Sequence, residues 1–328
     1  MKEILEKLFT HYALTTDEAY NWLMNITQNE YDIAQLSSFL TVFRMRPITS
    51  NELLGFRKAF LELCVPFTYE QDSIDIVGTG GDGKNTFNIS TISALVVAGA
   101  EYKVTKHGSY GVSSNCGSSN VLEYLGYKFT NDSDTLKKHL DQANICFLHA
   151  PVFHPAMKAV VPTRKQMKVK TFFNILGPLV NPAQPKYNFF GVYDLSISRL
   201  YQNVMQQTDK QFSVIYALDG YDEISLTGDF ILRNNEGEFL LSPKDLGLPT
   251  LEQKDLFGGD DVPAAATIFT NILKGEGTFA QRNAVYANAG MAIHLMKPNL
   301  SIEECIHQAK ESLDSQNAFN KFNKIINN

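Results

Sequence analysis

The chain predicts an α/β protein in two parts: a small all-helical N-terminal domain over residues 1–68, and a larger α/β domain with a mostly parallel central sheet over residues 69–328. Three observations predict it. Before Pro66 the apolar residues recur at helical spacing. After it, short apolar runs alternate with glycine turns and helical stretches. One such run, residues 74–77, passes through Gly78-Thr79-Gly80-Gly81-Asp82-Gly83 into an Ala/Val-rich segment at residues 92–100. Strands alternating with helices imply a parallel sheet covered on both faces, with ligands beyond the C-terminal ends of the strands.

In the helical part Ile4, Leu5, Leu8 and Phe9 share one face, and Thr15-Thr16-Asp17-Glu18 and Thr49-Ser50-Asn51-Glu52 both have capping-box spacing. Strands are expected at 74–77, 102–106, 145–148, 189–193, 212–218 and 224–226. Residues 155–173 read as helical again and carry several basic side chains. They are expected to join the N-terminal helices and form one wall of a cleft.

With 328 residues, 44% hydrophobic and 20% charged, the chain can bury a sizeable core. A net charge of -6 and a pI near 5.7 argue against nucleic acid or a membrane surface as partner, since either needs a clustered positive face. Lys165, Lys168 and Lys170 read as a solvated helix face. Cys64, Cys116, Cys146 and Cys305 form no CxxC pair, which points to neither zinc nor disulfides and fits a reduced, cytoplasmic compartment. The N-terminus does not read as a signal peptide, and no apolar run approaches the roughly 18 residues of a membrane span.

Four stretches can carry chemistry. The glycine loop gathers backbone N–H groups at a helix N-terminus, an arrangement that favours phosphate, although a plain β-turn before a capped helix has the same pattern. Asp82 within it makes sense if a divalent cation lies between carboxylate and phosphate, or if it accepts from ribose hydroxyls. Lys106-His107-Gly108-Ser109-Tyr110-Gly111-Val112-Ser113-Ser114 is either a second phosphate-facing loop or a polar loop with an incidental lysine. Asp222-Glu223 can hold magnesium or form a solvated acidic turn. Arg164 can grip a carboxylate in a two-pronged fashion, or be an ordinary surface arginine. The segment 78–85 also fits a nucleotide-binding P-loop up to its last position, but that pattern needs Ser or Thr where the chain has Asn85, and Asp82 suits bare phosphate badly.

Taken in order, these motifs resemble anthranilate phosphoribosyltransferases, of the nucleoside-phosphorylase-like phosphoribosyltransferase class. The matches span nearly the whole chain: Gly78 to Asp82 with Asn88-Ile89-Ser90-Thr91, Lys106-His107-Gly108, Gly117-Ser118, His154-Pro155-Ala156, Arg164, Phe173-Asn174-Ile175-Leu176-Gly177-Pro178, Asp222-Glu223 and Asn288-Ala289-Gly290. The resemblance implies a small helical domain beside an α/β domain with the active site between them. It implies transfer of phosphoribosyl from 5-phosphoribosyl 1-diphosphate to the amine of anthranilate, with Mg²⁺, in a homodimer. The donor would be held by Gly78, Gly80, Gly81, Asp82, Thr86, Asn88, Ile89, Ser90, Thr91, Lys106, His107, Gly108, Ser113, Ser114 and Ser118. Anthranilate would meet Gly78, His107, Ser109, Arg164 and Gly177, and the metal would meet Ser90, Asp222 and Glu223. No side chain acts as covalent nucleophile; Lys106 stabilises charge. The chain departs from the family pattern at Ser109, Tyr110 and Asn120, and Lys170 stands where arginine is common, which reads as a mild exchange on a structural or solvent-facing helix. A transferase or phosphorylase of the same fold with another acceptor, and a non-catalytic nucleic-acid-binding relative, are the rival readings.

Overall fold

The computed structural model describes residues 1–28, 31–111 and 116–327. Four helices open the chain: Lys2–Phe9 (α1), Thr16–Gln28 (α2), Ile33–Met45 (α3) and Ser50–Leu63 (α4). Both expected capping boxes form, Thr15 with Glu18 ahead of α2 and Thr49 with Glu52 at α4. Glu52 reaches further. Its fully buried carboxylate also accepts the Leu14 N–H at 3.0 Å and both arms of the Arg46 guanidinium at 2.9 and 2.6 Å. Burial pushes its pKa up, but the Arg46 and backbone donors outweigh burial and hold it below its ordinary value.

Seven strands follow: Ile74–Gly78 (β1), Val104–Gly108 (β2), Ile145–His149 (β3), Tyr187–Gly191 (β4), Gln211–Ala217 (β5), Phe230–Asn234 (β6) and Glu238–Leu241 (β7). They form one sheet in the order β3-β2-β1-β4-β5-β6-β7, parallel through β5 and antiparallel at β6 and β7. The mostly parallel sheet is as expected, with three differences. β2 and β4 are displaced from the expected 102–106 and 189–193, because the glycines ending each strand, Gly108 and Gly191, remain paired in the ladder. Residues 224–226 are not a strand. Asn288 takes both backbone groups of Ile224, at 3.0 and 2.9 Å, so the segment is satisfied without a strand partner, and Leu226 has φ +60°. The hairpin β6–β7 has no counterpart in the sequence reading.

Helix Ile89–Gly99 (α5) is apolar nearly all round and correspondingly buried, packed on β1 and against helices Phe279–Met296, Ile302–Asp314 and Asn317–Ile326. On the opposite face, helix Leu195–Met205 and the N-terminal helices share one apolar cluster with Phe190 and Phe212 of the sheet. Residues 155–173 break into a 3₁₀ turn, Pro155–Ala159, a helix, Val161–Met167, and an irregular link. Phe172 of this link stacks on Phe56 of α4 at 4.6 Å, which sets the segment against the N-terminal helices. Among the described residues no helix is long and apolar enough to cross a membrane.

Glu52→Gln leaves Arg46 facing an uncharged, mismatched amide, and breaking a buried pair costs about 3–5 kcal/mol. The only tryptophan, Trp22, lies on α2 and reports directly on this region. Urea titration followed by its fluorescence should show that loss at pH 7. Because the folded pKa of Glu52 is depressed, its contribution is full above the ordinary carboxylate range and fades as pH falls through the depressed value. The gap between wild type and Glu52→Gln should therefore narrow in acid; a gap independent of pH would refute the assignment.

Candidate active site

Beyond the C-terminal ends of β1, β2 and β4 lies a large cleft, between the sheet and the segment 154–180. Its floor is built from glycine. Gly78 and Gly191 end β1 and β4 and pair in register. A Cβ on Gly191 would fall 1.5 Å from the Asp222 carbonyl oxygen, and one on Gly78 would fall 2.3 Å from Asp222 Oδ2. The strand ends thus have no side chains where the 219–226 loop must settle. Asp222 seats there, Gly80 donates its N–H to Oδ2 at 2.6 Å, and Asn288 secures the next peptides through Ile224.

This seating brings Asp82, Asp222 and Glu223 together, with one carboxylate oxygen of each within 4.8 Å of the others. Asp82 was placed with the donor; the structure puts it equally with the acidic pair. Burial and then the charge of Asp82 push the Asp222 pKa up, and burial followed by Asp222 does the same to Glu223. Glu223 sits at the N-terminus of α5, where it accepts the Ser90 N–H, with the Thr86 hydroxyl 3.5 Å away. Asn88 caps α5 only by position, since its side-chain amide goes to the Cys116 carbonyl. The Ile89 amide is taken by the Phe87 carbonyl and the Ser90 amide by Glu223, so the first turn offers the cleft chiefly the hydroxyls of Ser90 and Thr91. Three mutually repelling carboxylates, with Asp82 Oδ2 buried and unpartnered, form an all-oxygen donor set suited to a hard divalent cation such as Mg²⁺.

Beneath the floor Lys106 is buried, its Nζ 2.5 Å from the Ile76 carbonyl. Burial lowers its pKa to about 8, while Asp75 opposes the shift; burial raises Asp75 to about 6. Asp75 accepts the His107 N–H at 3.1 Å and the Asn181 amide at 2.8 Å, tying β2 to the 181–183 turn.

The other end of the cleft is apolar: Phe60, Met157, Phe173, Leu176, Pro178 and Val180 line it. His107 and His154 meet edge to face there at 5.2 Å. Burial drives both pKa values down, that of His154 to about 4, so both rings are neutral, and His107 Nε2 has no partner. Arg164 sits half-buried over the Phe173 ring at 5.3 Å, its hydrogen bond to Asn174 Oδ1 long at 3.4 Å. Among the described residues it has no carboxylate partner. Ser109, Gly108, Gly177 and Ser118 line the same cleft.

Of the residues expected from sequence, Ile89 is a correction. Its side chain is fully buried in the core, so only its backbone faces the helix start. Lys170 is a second. It lies on no helix and reaches across the cleft to Gly81. Ser113 and Ser114 lie outside the described residues. Tyr110 commits its hydroxyl to Glu123, and Asn120 accepts from the Gly117 N–H, so both departures hold the loop together. Lys84 packs on the Tyr221 ring at 4.7 Å instead of entering the cleft, contrary to a P-loop lysine. Sequence reasoning missed Phe60, Met157 and Tyr193 as cleft residues, and gave Asn288 no role. No local motif marks the first three; the Asn in an apolar helix was the one available signal for the fourth.

Gly191→Ala should weaken Mn²⁺ binding, read by electron paramagnetic resonance, by more than about tenfold, as displaced support of a metal site does. The double change Asp222→Asn with Glu223→Gln should abolish it. Unaltered affinity in both variants would remove the acidic cluster from any metal role.

Two family models match the chain, one described as the glycosyl transferase family helical bundle domain over residues 2–64, the other as the a/b domain of the same family over residues 70–319. An anthranilate phosphoribosyltransferase of Christiangramia forsetii is 53% identical over 326 residues, covering 99% of this chain and 98% of its own. The crystal structure of anthranilate phosphoribosyltransferase from Thermus thermophilus superposes with a TM-score of 0.92 at 30% identity, covering 98% of each chain. The Saccharomyces cerevisiae enzyme in complex with PRPP and Mg gives 0.90 at 27% identity, over 98% of this chain and 96% of that one. Full-length identity of this order places the chain in the anthranilate phosphoribosyltransferase family.

Proposed function

We propose that the two ends of the cleft are the two substrate sites of the family reaction: transfer of phosphoribosyl from 5-phosphoribosyl 1-diphosphate to the amine of anthranilate, giving N-(5-phosphoribosyl)anthranilate and diphosphate in tryptophan biosynthesis. The observation that carries this reading is the juxtaposition of an acidic cluster at a helix N-terminus with an apolar chamber holding one underpaired guanidinium.

Asp222, Glu223 and Asp82, with Ser90 beside them, would hold Mg²⁺, which when bound neutralises diphosphate charge and fixes the leaving group. The loop amides of Gly78 and Gly81 and the hydroxyls of Ser90 and Thr91 bind phosphate oxygens and ribose, with Thr86 and Asn88 alongside, while Gly80 lines the same loop and spends its amide on Asp222. Lys106 supplies buried positive potential behind the reacting carbon. Arg164 takes the anthranilate carboxylate, and the apolar walls hold its ring. Neutral His107, with Nε2 free, accepts from the attacking amine and orients its lone pair. Rate then comes from orientation and from charge stabilised at the leaving group, with no covalent intermediate on the protein.

We also read residues 1–68, with parts of 155–173, as the helical domain, and 69–328 as the donor-binding domain. The helical part exposes Phe9 and Met45, the latter 81% accessible, and we place a homodimer contact there. Sedimentation should find a pair of 36.7 kDa chains, and Phe9→Glu with Met45→Glu should leave a single chain; a monomeric wild type would end this reading. Four free cysteines fit a reduced, cytoplasmic setting.

Diphosphate release should follow addition of anthranilate, and not of adenine or uracil. Arg164→Ala should raise the anthranilate KM about 10- to 100-fold, the loss of a charged hydrogen bond, and leave the donor KM within about twofold. Equal changes in both constants would take Arg164 out of the acceptor site.

A further inference from the structure

One cation in the cleft is unused by this scheme. Lys170, on the link between helix Val161–Met167 and helix Phe173–Leu176, extends across the mouth of the cleft, with Nζ 2.7 Å from the Gly81 carbonyl and 4.7 Å above the Tyr193 ring. The glycine loop is consequently held from both sides, by Gly80 N–H on Asp222 and by Lys170 on Gly81. Its glycines have φ of +64° at Gly80, +83° at Gly81 and +74° at Gly83, left-handed conformations that glycine adopts without strain.

The charges lining the cleft are unevenly placed. Asp82, Asp222 and Glu223 lie on the donor side. Lys106 is buried against Ile76, and Arg164 lies in the apolar chamber over Phe173. Lys170 is the remaining full cation among the described lining residues, it is exposed, and it stands on the outer side of the loop whose inner side faces the carboxylates. A lysine on a flexible stem suits a phosphate whose position shifts between bound substrate and released product, and an anionic oxygen is a stronger acceptor than the Gly81 carbonyl.

We propose that Lys170 is a donor-binding residue that exchanges the Gly81 carbonyl for the diphosphate group of the sugar donor, linking the segment packed on the N-terminal helices to the leaving group. The inference rests on the donor site assigned above. It requires Lys170 to act on the diphosphate directly, beyond bracing an empty loop.

Calorimetry with inorganic diphosphate and Mg²⁺, run on wild type, Lys170→Met and Lys170→Arg, tests it. Lys170→Met should weaken diphosphate binding about tenfold or more, as loss of one charged hydrogen bond does, and should flatten its dependence on salt. Lys170→Arg should restore most of the affinity, and the anthranilate KM should stay within about twofold of wild type in both variants. If Lys170→Met binds diphosphate like wild type, or raises both substrate KM values equally, Lys170 only braces the loop and the proposal fails while the donor site stands. If wild type itself shows no binding of diphosphate or of 5-phosphoribosyl 1-diphosphate with Mg²⁺, the donor site and this proposal fall together.

Discussion

The seat of Asp222 on two paired glycines is the constraint from which the rest of the site follows. A carbonyl oxygen 1.5 Å from where a Cβ of Gly191 would stand leaves no room for any side chain at the end of β4, and the Asp222 carboxylate sets the same limit at Gly78. Close approach brings three carboxylates within mutual range, which is costly without a cation. That cost is offset elsewhere: α5 is buried on all sides, Asn288 clamps Ile224, and the amides of Gly80 and Ser90 point at the acids. The repulsion persists because the surrounding packing leaves the acids nowhere to go.

The same sheet sorts charge from neutrality along the cleft. Burial raises the pKa of the acids at the donor end and lowers that of the histidines at the acceptor end. Desolvation keeps the histidine chamber uncharged except at Arg164, and at the other end the crowding of three carboxylates is what a bound cation would relieve. An aromatic ring with one carboxylate matches that chamber, whereas a purine or pyrimidine would leave the guanidinium desolvated with no anion.

Much of this was legible in the sequence because the signals are local. Glycines after an apolar run announce a strand end and a helix start within a few residues, and Thr49 with Glu52 announce a cap by spacing alone. What escaped is what only tertiary contact decides. The pairing of Gly78 with Gly191 joins residues more than a hundred positions apart, so neither glycine alone signals a shared floor. Residues 224–226 have strand composition, yet the Asn288 side chain supplies the hydrogen bonds a neighbouring strand would have given. Ile89 belongs to a site motif by sequence, but the first turn of so buried a helix must send apolar side chains into the core, and Ile89 is one of them. Lys170 looked solvated because basic residues cluster around it; the chain leaves the helix at Lys168, whose φ is +53°, and carries it to the cleft instead.

The division of labour between the two walls follows from these physical origins. The sheet side presents backbone amides and carboxylates, groups whose positions are set by strand register and by helix geometry, and its motifs are compact for that reason. The facing side presents Phe60, Met157, Phe173 and Arg164, whose positions depend on how α4 and the 154–180 segment pack on one another. Many apolar sequences satisfy such packing, so the acceptor wall carries little local pattern beyond its arginine. Donor chemistry is therefore written in the order of residues along the chain, and acceptor choice in the fit between two surfaces meeting across the cleft.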